Sequence, residues 1–439
     1  MTTETSPHPA PRTLSPGTRV PPQAAAPRSA PPASFTRPRA PQTRHPDLAI
    51  WPRSAQFTAD GADMRVGGVR LTGVAVRHGT PAYVIDETEA RQRCRAHLDA
   101  FPDGVLVSAA PALLRPGPLA WIEEEKLGLA LVSAAELTRV ARAGFPCDRV
   151  TLHGAAGDPA SIATALRLGA GRVVLDSSAD VHRLAAQVPP GTRQQVLLRV
   201  TPGTSRSPAR RTNGLSLPDG SAQHTIGRIL AQPRLSLAGL HCDVGADVTT
   251  AKPYLPAVRR LVGLLARVRD QYGVVLSDLV LGGGHTAAHR PGDPEPDLTA
   301  LAARVRAELI ESCAATALPV PRLVIEPGRA LTAPAAVALH RVLRVEDTAH
   351  GRVVTVNGDG TTGVPYATAP RVIGRRTAPA RRPATLVRHG GGTPATVALL
   401  PADVTTGDLL ATPAAGGTAP PTDTPLIAVA DSRARLLEG

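Results

Sequence analysis

The chain has 439 residues, which is enough to bury one large core and a second, smaller domain. Its formal net charge is +13, and almost all of the positive charge is arginine, because Lys126 and Lys252 are the only lysines. Aromatic residues make up 2% of the chain, too few for the base-stacking surfaces that bind single-stranded nucleic acid. We attribute the arginine excess to a compositional bias and predict no binding to nucleic acid.

The cysteines lie far apart in the sequence and form no CxxC pair. Their spacing predicts neither a zinc site nor a disulfide framework, which favours a reducing compartment. The chain also has no apolar run of about 18 residues, and its amino terminus has no apolar signal core. We therefore expect a cytoplasmic protein that does not bind a membrane.

Residues 1–46 are rich in Pro, Ala, Thr and Arg, and their only acidic residue is Glu4. A segment of this composition buries too little apolar surface to order itself, so we predict a disordered basic tail. In residues 47–80, apolar and polar side chains alternate in a β manner from Ile50 to Val76. We expect these strands to join a β domain formed by the other end of the chain.

Eight short apolar runs follow, separated by Ala- and Arg-rich stretches of helical character. They are Val105–Ser108, Gly128–Ser133, Val150–Gly154, Arg172–Asp176, Gln195–Val200, Leu237–Gly245, Asp278–Gly284 and Arg322–Gly328. Strand alternating with helix predicts a parallel sheet, and eight such units can close into a (β/α)8 barrel. We assign residues 81–332 to this α/β barrel, with Pro81–Asp86 as a first strand and Glu87–Phe101 as the helix that leads into it.

After Ala330 the pattern changes to short strands of period two, punctuated by Gly and Pro. They are Val337–Val342, Gly351–Val356, Ala395–Leu399, Leu409–Ala411 and Leu426–Val429. This pattern predicts an antiparallel β domain over residues 333–439. The stretch Arg371–Gly392, with its arginines and a triple glycine, is predicted to be a loose, solvated loop.

The last two barrel strands end in residues suited to a ligand. In such barrels chemistry lies at the carboxyl ends of the strands, and phosphate is usually held after strands seven and eight. The seventh run closes with Gly282, Gly283 and Gly284, whose backbone can approach an anion closely. The eighth closes with Glu326 and Arg329, and an arginine there suits phosphate. Each motif alone is explained by a turn or an ion pair, but both together favour a binding site.

Several segments resemble, in the same order and spacing, those of the diaminopimelate decarboxylases. These are fold-type III enzymes that use pyridoxal phosphate (PLP) and share the alanine racemase barrel. The matching segments include His78–Val84, Leu198–Gly203, Gly239–His241, Glu326–Ala330 and Gly407–Leu410. The resemblance runs from about His78 to the end of the chain, and it implies an alanine-racemase-like TIM barrel with a C-terminal β domain.

The resemblance also implies a cofactor, PLP, and roles for the residues at matching positions. Gly282–Gly284 and Arg329 would contact the cofactor phosphate, and Glu326 would pair with the pyridine nitrogen. Arg199 and His241, in two other matching segments, would complete the cofactor-binding set. The family further implies a head-to-tail homodimer whose active sites are shared across the interface.

The match fails where the family reacts with its substrate. At the end of the first barrel strand the family has Tyr-Ala-x-Lys-Ala, whose lysine forms the Schiff base. Here the segment is Ser108–Ala112, and Pro111 takes the place of the lysine. Proline has no side-chain amine and cannot form an aldimine. At the sixth strand, Asp243 replaces a histidine that stacks on the cofactor ring, and Ala246 replaces a phosphate-binding serine.

The β domain has lost its catalytic contribution as well. The family's Cys-Glu-Ser-Gly-Asp segment supplies a catalytic cysteine, but no cysteine follows Cys313, and the matching stretch is His389–Thr393. Thr418 stands in place of a phosphate-contacting tyrosine. Neither lysine offers a substitute amine, because Lys126 lies in a solvated stretch between the first two strands and Lys252 follows the sixth strand by several residues.

These features favour a catalytically inactive relative, with PLP bound non-covalently or lost. It would act through a partner or a small anionic ligand, as a homodimer or as a heterodimer with an active homologue. One alternative is an active PLP-dependent decarboxylase that converts meso-diaminopimelate to lysine. Another is a cofactor-independent barrel enzyme that uses His153, His241, Asp243 or His285. Because His241 and Asp243 share one face of a strand, they could also form a metal or acid–base pair, or simply line the barrel.

Overall fold

The structure is a computed structural model that describes residues 45–108, 114–201, 214–288, 290–358, 370–389, 396–415 and 424–437. These residues belong to one compact unit. Pro111, Thr418, Gly390–Thr393 and nearly all of the predicted tail lie outside them. Within the described ranges, no helix is both long and apolar enough to cross a membrane.

The residues before the barrel form a small antiparallel sheet and a helix. Their bounds are β1 (Gln56–Phe57), β2 (Met64–Val66), β3 (Val69–Arg70) and α1 (Leu71–His78). The prediction of β structure as far as Val76 is therefore wrong from Leu71 onward, where the chain is helical. The buried side chains of Leu71, Val74 and Ala75 have the i, i+3, i+4 spacing of an amphipathic helix, which outweighs the local alternation.

All eight predicted barrel strands are present, and they lie side by side in one parallel sheet. Their bounds are β5 (Leu106–Ser108), β6 (Gly128–Leu131), β7 (Val150–Leu152), β8 (Arg172–Leu175), β9 (Gln194–Thr201), β11 (Leu235–Asp243), β12 (Asp278–Gly282) and β13 (Arg322–Ile325). A two-residue strand, β10 (Leu215–Ser216), pairs with β9. A bridge between Val105 and Ile325 joins the first barrel strand to the last, so the sheet closes on itself and the fold class is confirmed.

Helices cover the outside of the barrel. Those in the described ranges are α2 (Glu87–Ala100), α3 (Pro116–Glu124), α4 (Ala134–Arg142), α5 (Pro159–Leu168), α6 (Ser178–Gln187), α7 (Ser221–Leu230), α8 (Tyr254–Tyr272) and α9 (Leu298–Ala315). Five of them begin at a side chain that accepts a backbone hydrogen bond in the first turn, namely Asp86, Ser133, Asp158, Ser177 and Asp297. These caps follow directly from the strand-to-helix connections and set where each helix starts.

The β domain forms one mixed, mainly antiparallel sheet. Its strands are β4 (Ala82–Asp86), β14 (Ala336–Thr348), β15 (Gly351–Val356), β16 (Arg371–Ile373), β17 (Arg381–Arg388), β18 (Thr396–Pro401), β19 (Leu409–Thr412), β20 (Leu426–Ala430) and β21 (Arg433–Leu437). The pairs β15–β17 and β4–β20 are parallel. Strand β4, which the sequence analysis placed at the start of the barrel, pairs with β14 and β20 instead.

The stretch Arg371–Gly392 is not the loose loop that we predicted. Its described part contains β16 and β17, whose buried Val372, Ile373 and Ala384 pack in the β-domain core. Between these strands, Arg375 donates hydrogen bonds to both Asp403 and Asp408 at 2.7–2.8 Å. Of the arginines that indicated a solvated loop, Arg381 and Arg382 begin β17, and Arg375 pairs with two carboxylates.

Candidate functional site

Three buried side chains meet at the carboxyl ends of the barrel strands. His153 follows β7, His241 lies in β11 and Glu326 follows β13. The Nε2 atom of His153 lies 3.3 Å from Glu326 Oε1, and that of His241 lies 3.3 Å from Glu326 Oε2. Strands that are separated in sequence bring these residues together because their carboxyl ends meet on one face of the barrel. We call these three residues and Arg199 the central cluster.

Arg199, on β9, contacts the other nitrogen of both imidazoles. Its guanidinium is within hydrogen-bond reach of His153 Nδ1, and its Nε donates to His241 Nδ1 at 3.3 Å. Its Nη1 donates to Asp176 at 3.4 Å. Because arginine can only donate, both Nδ1 atoms must accept, and each neutral ring then carries its hydrogen on Nε2, toward Glu326.

The electrostatics of the central cluster agree with this arrangement. Burial lowers the pKa of His241, which keeps that ring neutral, although Glu326 acts in the opposite direction. Burial also opposes ionisation of Glu326, but the two histidines outweigh it and hold the pKa of the carboxyl well below its usual range. Burial raises the pKa of Asp176, with Arg199 acting against the shift. The cluster therefore places a buried carboxylate and a partly buried guanidinium on opposite sides of two imidazole rings.

Two histidines and a glutamate are also a common set of metal ligands, and their donor atoms lie within 4.8 Å of one another. A metal-bound imidazole offers a lone pair to the metal and donates its other ring N–H to an acceptor. Arg199 faces that other nitrogen and cannot accept a hydrogen bond. The arginine thus disfavours a metal here. Asp243 is exposed and accepts from the Gly245 N–H at 2.7 Å, so it does not join His241 in a ligand pair.

The Gly282–Gly284 turn is packed closely by the protein itself. A Cβ atom on Gly282 would lie 3.2 Å from His241 Nε2, and one on Gly283 would lie 2.7 Å from Val244 Cγ2. Gly283 also has a φ of +124°, which side-chain-bearing residues rarely adopt. At Gly284, by contrast, the nearest atom to an added Cβ would be 3.9 Å away. Two of the three glycines are therefore explained by internal packing.

Arg329, beside this turn, faces a carboxylate of the same chain. Its Nη2 donates to Asp247 Oδ1 at 2.8 Å. Asp247 belongs to residues 244–253, between β11 and α8, which we call the β11 loop. We call the Gly282–Gly284 turn and Arg329 the phosphate corner, after the role that the sequence predicts for them. The contact with Asp247 was not predicted, because no spacing rule brings a loop residue to an arginine so distant in sequence.

His285 packs against the rings of His97 on α2 and Tyr254 on α8 rather than against the central cluster. Its ring stacks on that of His97 with 5.6 Å between centroids, and its Nδ1 is 3.4 Å from His97 Nε2. Burial lowers the pKa of His97 to about 4 and that of His285 to about 3. Both rings are neutral core residues at neutral pH. The described structure thus joins His153 and His241, and it separates His285 from them.

The two lysines lie in different places. Lys126 comes two residues before the start of β6, so it is at the amino-terminal end of the barrel, opposite the central cluster. It lines a cleft there together with residues that precede other strands, such as Asp148 and Gly171. Lys252 is exposed in the β11 loop. The position predicted to hold the Schiff-base lysine, Pro111, is outside the described residues.

Comparison with known proteins gives this architecture a family. Residues 87–333 match the family model described as pyridoxal-dependent decarboxylase, pyridoxal binding domain. The chain is 39% identical over 384 residues to a diaminopimelate decarboxylase of Actinosynnema pretiosum subsp. auranticum, covering 84% of this chain and 86% of that one. The chain belongs to the diaminopimelate decarboxylase family. A second relative of that name, from Mycobacterium tuberculosis, is 34% identical over 328 residues and covers 70% of this chain and 73% of its own.

The fold of the family is also that of this chain. A solved diaminopimelate decarboxylase from M. jannaschii, in complex with L-lysine, superposes with a TM-score of 0.77. The match covers 88% of this chain and 95% of that one, at 17% identity. The family is PLP-dependent, and the barrel and β domain found here are the parts that the resemblance implied.

Proposed function

We propose that this chain is a diaminopimelate decarboxylase homologue without decarboxylase activity. The observation that carries the proposal is Pro111, which takes the place of the Schiff-base lysine. Without an amine at that position the cofactor cannot be held covalently, and residues that act as a unit in catalysis lose most of their effect when one is removed. Lys126, at the opposite end of the barrel, offers no replacement.

The remaining residues fit one part of PLP and not the others. PLP supplies an electron sink for decarboxylation when it is bound. Glu326 Oε1 is buried and has no well-aligned hydrogen-bond partner among the described residues, so it suits a protonated ring nitrogen. Arg329 already donates a hydrogen bond to the carboxylate of Asp247, which stands where a phosphate would need a positive partner. Asp243 cannot stack on a ring as a histidine does. We infer that covalent PLP has been lost.

Among the described residues, the central cluster is poorly suited to a replacement reaction. A general acid or base works best when its pKa is near the operating pH and one of its sites is free for the substrate. Arg199 contacts both histidines of the central cluster, and the pKa of His241 is lowered by burial. Cys313, the last cysteine in the sequence, is buried within α9. These features support a scaffold role over a cofactor-independent enzyme.

We also propose that the chain forms a dimer, with itself or with an active homologue. A partly apolar sheet face supports this: Val397 and Leu399, on β18, are 69% and 54% exposed. Their cross-strand neighbours on β17, Thr385 and Pro383, lie on the same face. Exposed apolar patches of this kind mark sites of association. A dimer with an active homologue would carry one defective half-site and so tune the activity of its partner.

The decisive experiment measures carbon dioxide release from meso-diaminopimelate with added PLP, together with the absorbance spectrum before and after borohydride. We expect no release above a heat-treated control and no reducible visible band. Pro111→Lys alone should restore neither, because Asp243 and Asp247 remain. Turnover that disappears in Lys252→Ala would show instead that another lysine serves, and the proposal would be wrong.

A further inference from the structure

Two carboxylates lie beside the phosphate corner: Asp243 ends β11 opposite Gly282, and Asp247 faces Arg329 from the β11 loop. Asp247 Oδ1 accepts from Arg329 Nη2 at 2.8 Å, and Asp243 Oδ1 accepts from the Gly245 N–H at 2.7 Å. At these two positions the family segment carries a glutamine and a histidine, neither of which is an acid. The substitutions therefore add negative charge at the end of the barrel where the family binds a phosphate.

The β11 loop is held tightly against the glycine turn. The Val244 N–H donates to Gly282 O at 3.2 Å, and the Val248 N–H donates to Gly284 O at 3.0 Å. The Thr286 N–H in turn donates to Val248 O at 3.1 Å. Asp247 thus faces Arg329 from a loop that is anchored on both sides of it, rather than from a free segment.

We propose that Asp247, with Asp243 beside it, replaces phosphate as the anion of this corner. The corner then rejects phosphate-bearing ligands, PLP among them. This inference rests on the proposed function, because an active PLP enzyme would need the corner open. The physical reason is charge: a phosphate dianion would have to approach a carboxylate that already takes one of the hydrogen bonds of Arg329, and like charges at such distances repel.

Asn is the matched replacement for Asp247. The residue has a φ of +59°, a left-handed conformation that Asn and Asp tolerate better than other side chains. Asp247→Asn therefore removes the charge and keeps the backbone. Asp347→Asn is the control, because Asp347 also pairs with an arginine, Arg352, at 2.8 Å and is similarly exposed, but it lies on β14.

The test measures the melting temperature, Tm, of the full-length protein in inorganic phosphate and, in a separate arm, in PLP, at constant ionic strength. We expect no shift for the unchanged chain and a rise of roughly 2 °C or more for Asp247→Asn at saturating ligand. The rise should disappear in the double variant Asp247→Asn, Arg329→Ala. Asp347→Asn should behave like the unchanged chain.

Three outcomes would overturn the inference: an equal rise in the unchanged chain, no rise in Asp247→Asn, or an equal rise in Asp347→Asn. The first would mean that the corner is open, the second that Asp247 does not close it, and the third that any freed arginine binds phosphate. Because Tm is read without substrate, these outcomes are independent of the carbon dioxide assay, which tests the proposed function separately.

Discussion

The central cluster and the phosphate corner lie at the same end of the barrel, but they differ in burial. In the cluster, Glu326 is 7% exposed and both of its oxygens face a histidine. In the corner, the side chain of Asp247 is 60% exposed, and the side chain of its partner Arg329 is 32% exposed. A buried charge that loses its partner is costly, whereas an exposed ion pair contributes little to stability.

This difference explains how a barrel can keep one half of a binding site and lose the other. Each buried group in the cluster depends on the others, so a change at Arg199, His241 or Glu326 would weaken the fold itself. The exposed corner carries no such constraint. There, an acidic residue such as Asp247 can pair with the arginine for which the sequence predicts a phosphate contact, at small cost to folding. Stability therefore constrains the central cluster more than it constrains the phosphate corner.

Lowering the pH should produce the largest change in the free energy of unfolding. The reason is that protonation of a buried histidine is far less favourable in the folded chain than in the unfolded one. Burial lowers the pKa of His97 to about 4 and those of His285 and His340 to about 3. As pH falls below the ordinary value of 6.5, the unfolded chain binds protons before the folded one, so stability is lost. Between pH 7.5 and 5 we expect a loss of roughly 2 kcal/mol for each histidine.

Urea unfolding at the two pH values measures this loss. His340→Gln should make the free energy of unfolding less pH-dependent by about 2 kcal/mol over that range. The exposed His350 provides the control, since His350→Gln should leave the dependence unchanged. Equal pH dependence in the unchanged chain and in His340→Gln would contradict the assignment of the loss to buried rings.

Arg199→Met should produce the next largest effect. The side chain of Arg199 is 13% exposed and contacts Asp176 and both histidines of the cluster. Its loss would leave Asp176 without its cationic partner, and we expect the free energy of unfolding to fall by about 3 kcal/mol. Arg329→Met is the matched variant in the exposed corner and should cost less than about 1 kcal/mol. Equal losses, measured by urea unfolding, would remove the distinction between the two regions.

Much of the fold could be predicted from the sequence, because apolar runs and helical stretches alternate strongly in the barrel. The errors lie where composition and tertiary structure disagree. The segment from Arg381 to Arg388 reads as a solvated loop by its arginines, yet it pairs with β15 and β18. The segment Leu71–His78 alternates weakly, and its helix is set by the face that it buries. In both cases burial against a neighbour outweighs the local pattern.

The candidate site also has residues that the sequence could predict and contacts that it could not. Glu326 and His241 were predictable because strand ends in a parallel barrel meet on one face. The pair of Arg329 and Asp247 was not, since it depends on the left-handed backbone of Asp247 and on how the β11 loop folds over the glycines. Asp176 was missed as a partner of Arg199, although it is the last residue of a predicted strand. Strand-end position was the signal that could have found it.

The smallest effect is expected from removing residues 1–44, which belong to the tail that the sequence predicts to be disordered. The ring of His45 packs edge-on against Phe57 at 5.5 Å, Asp47 pairs with Arg371 at 2.8 Å, and Leu48 is buried. Residues 1–44 are predicted to lack any apolar pattern, so their deletion should change neither folding nor assembly. Sedimentation should therefore give the same dimer for the full-length and shortened chains. If the apolar face of β18 is the interface, the double variant Val397→Asp, Leu399→Asp should weaken that dimer. A full-length monomer at micromolar concentration would contradict the proposed dimer, and a dimer lost with the tail would place the contacts in the segment expected to have none.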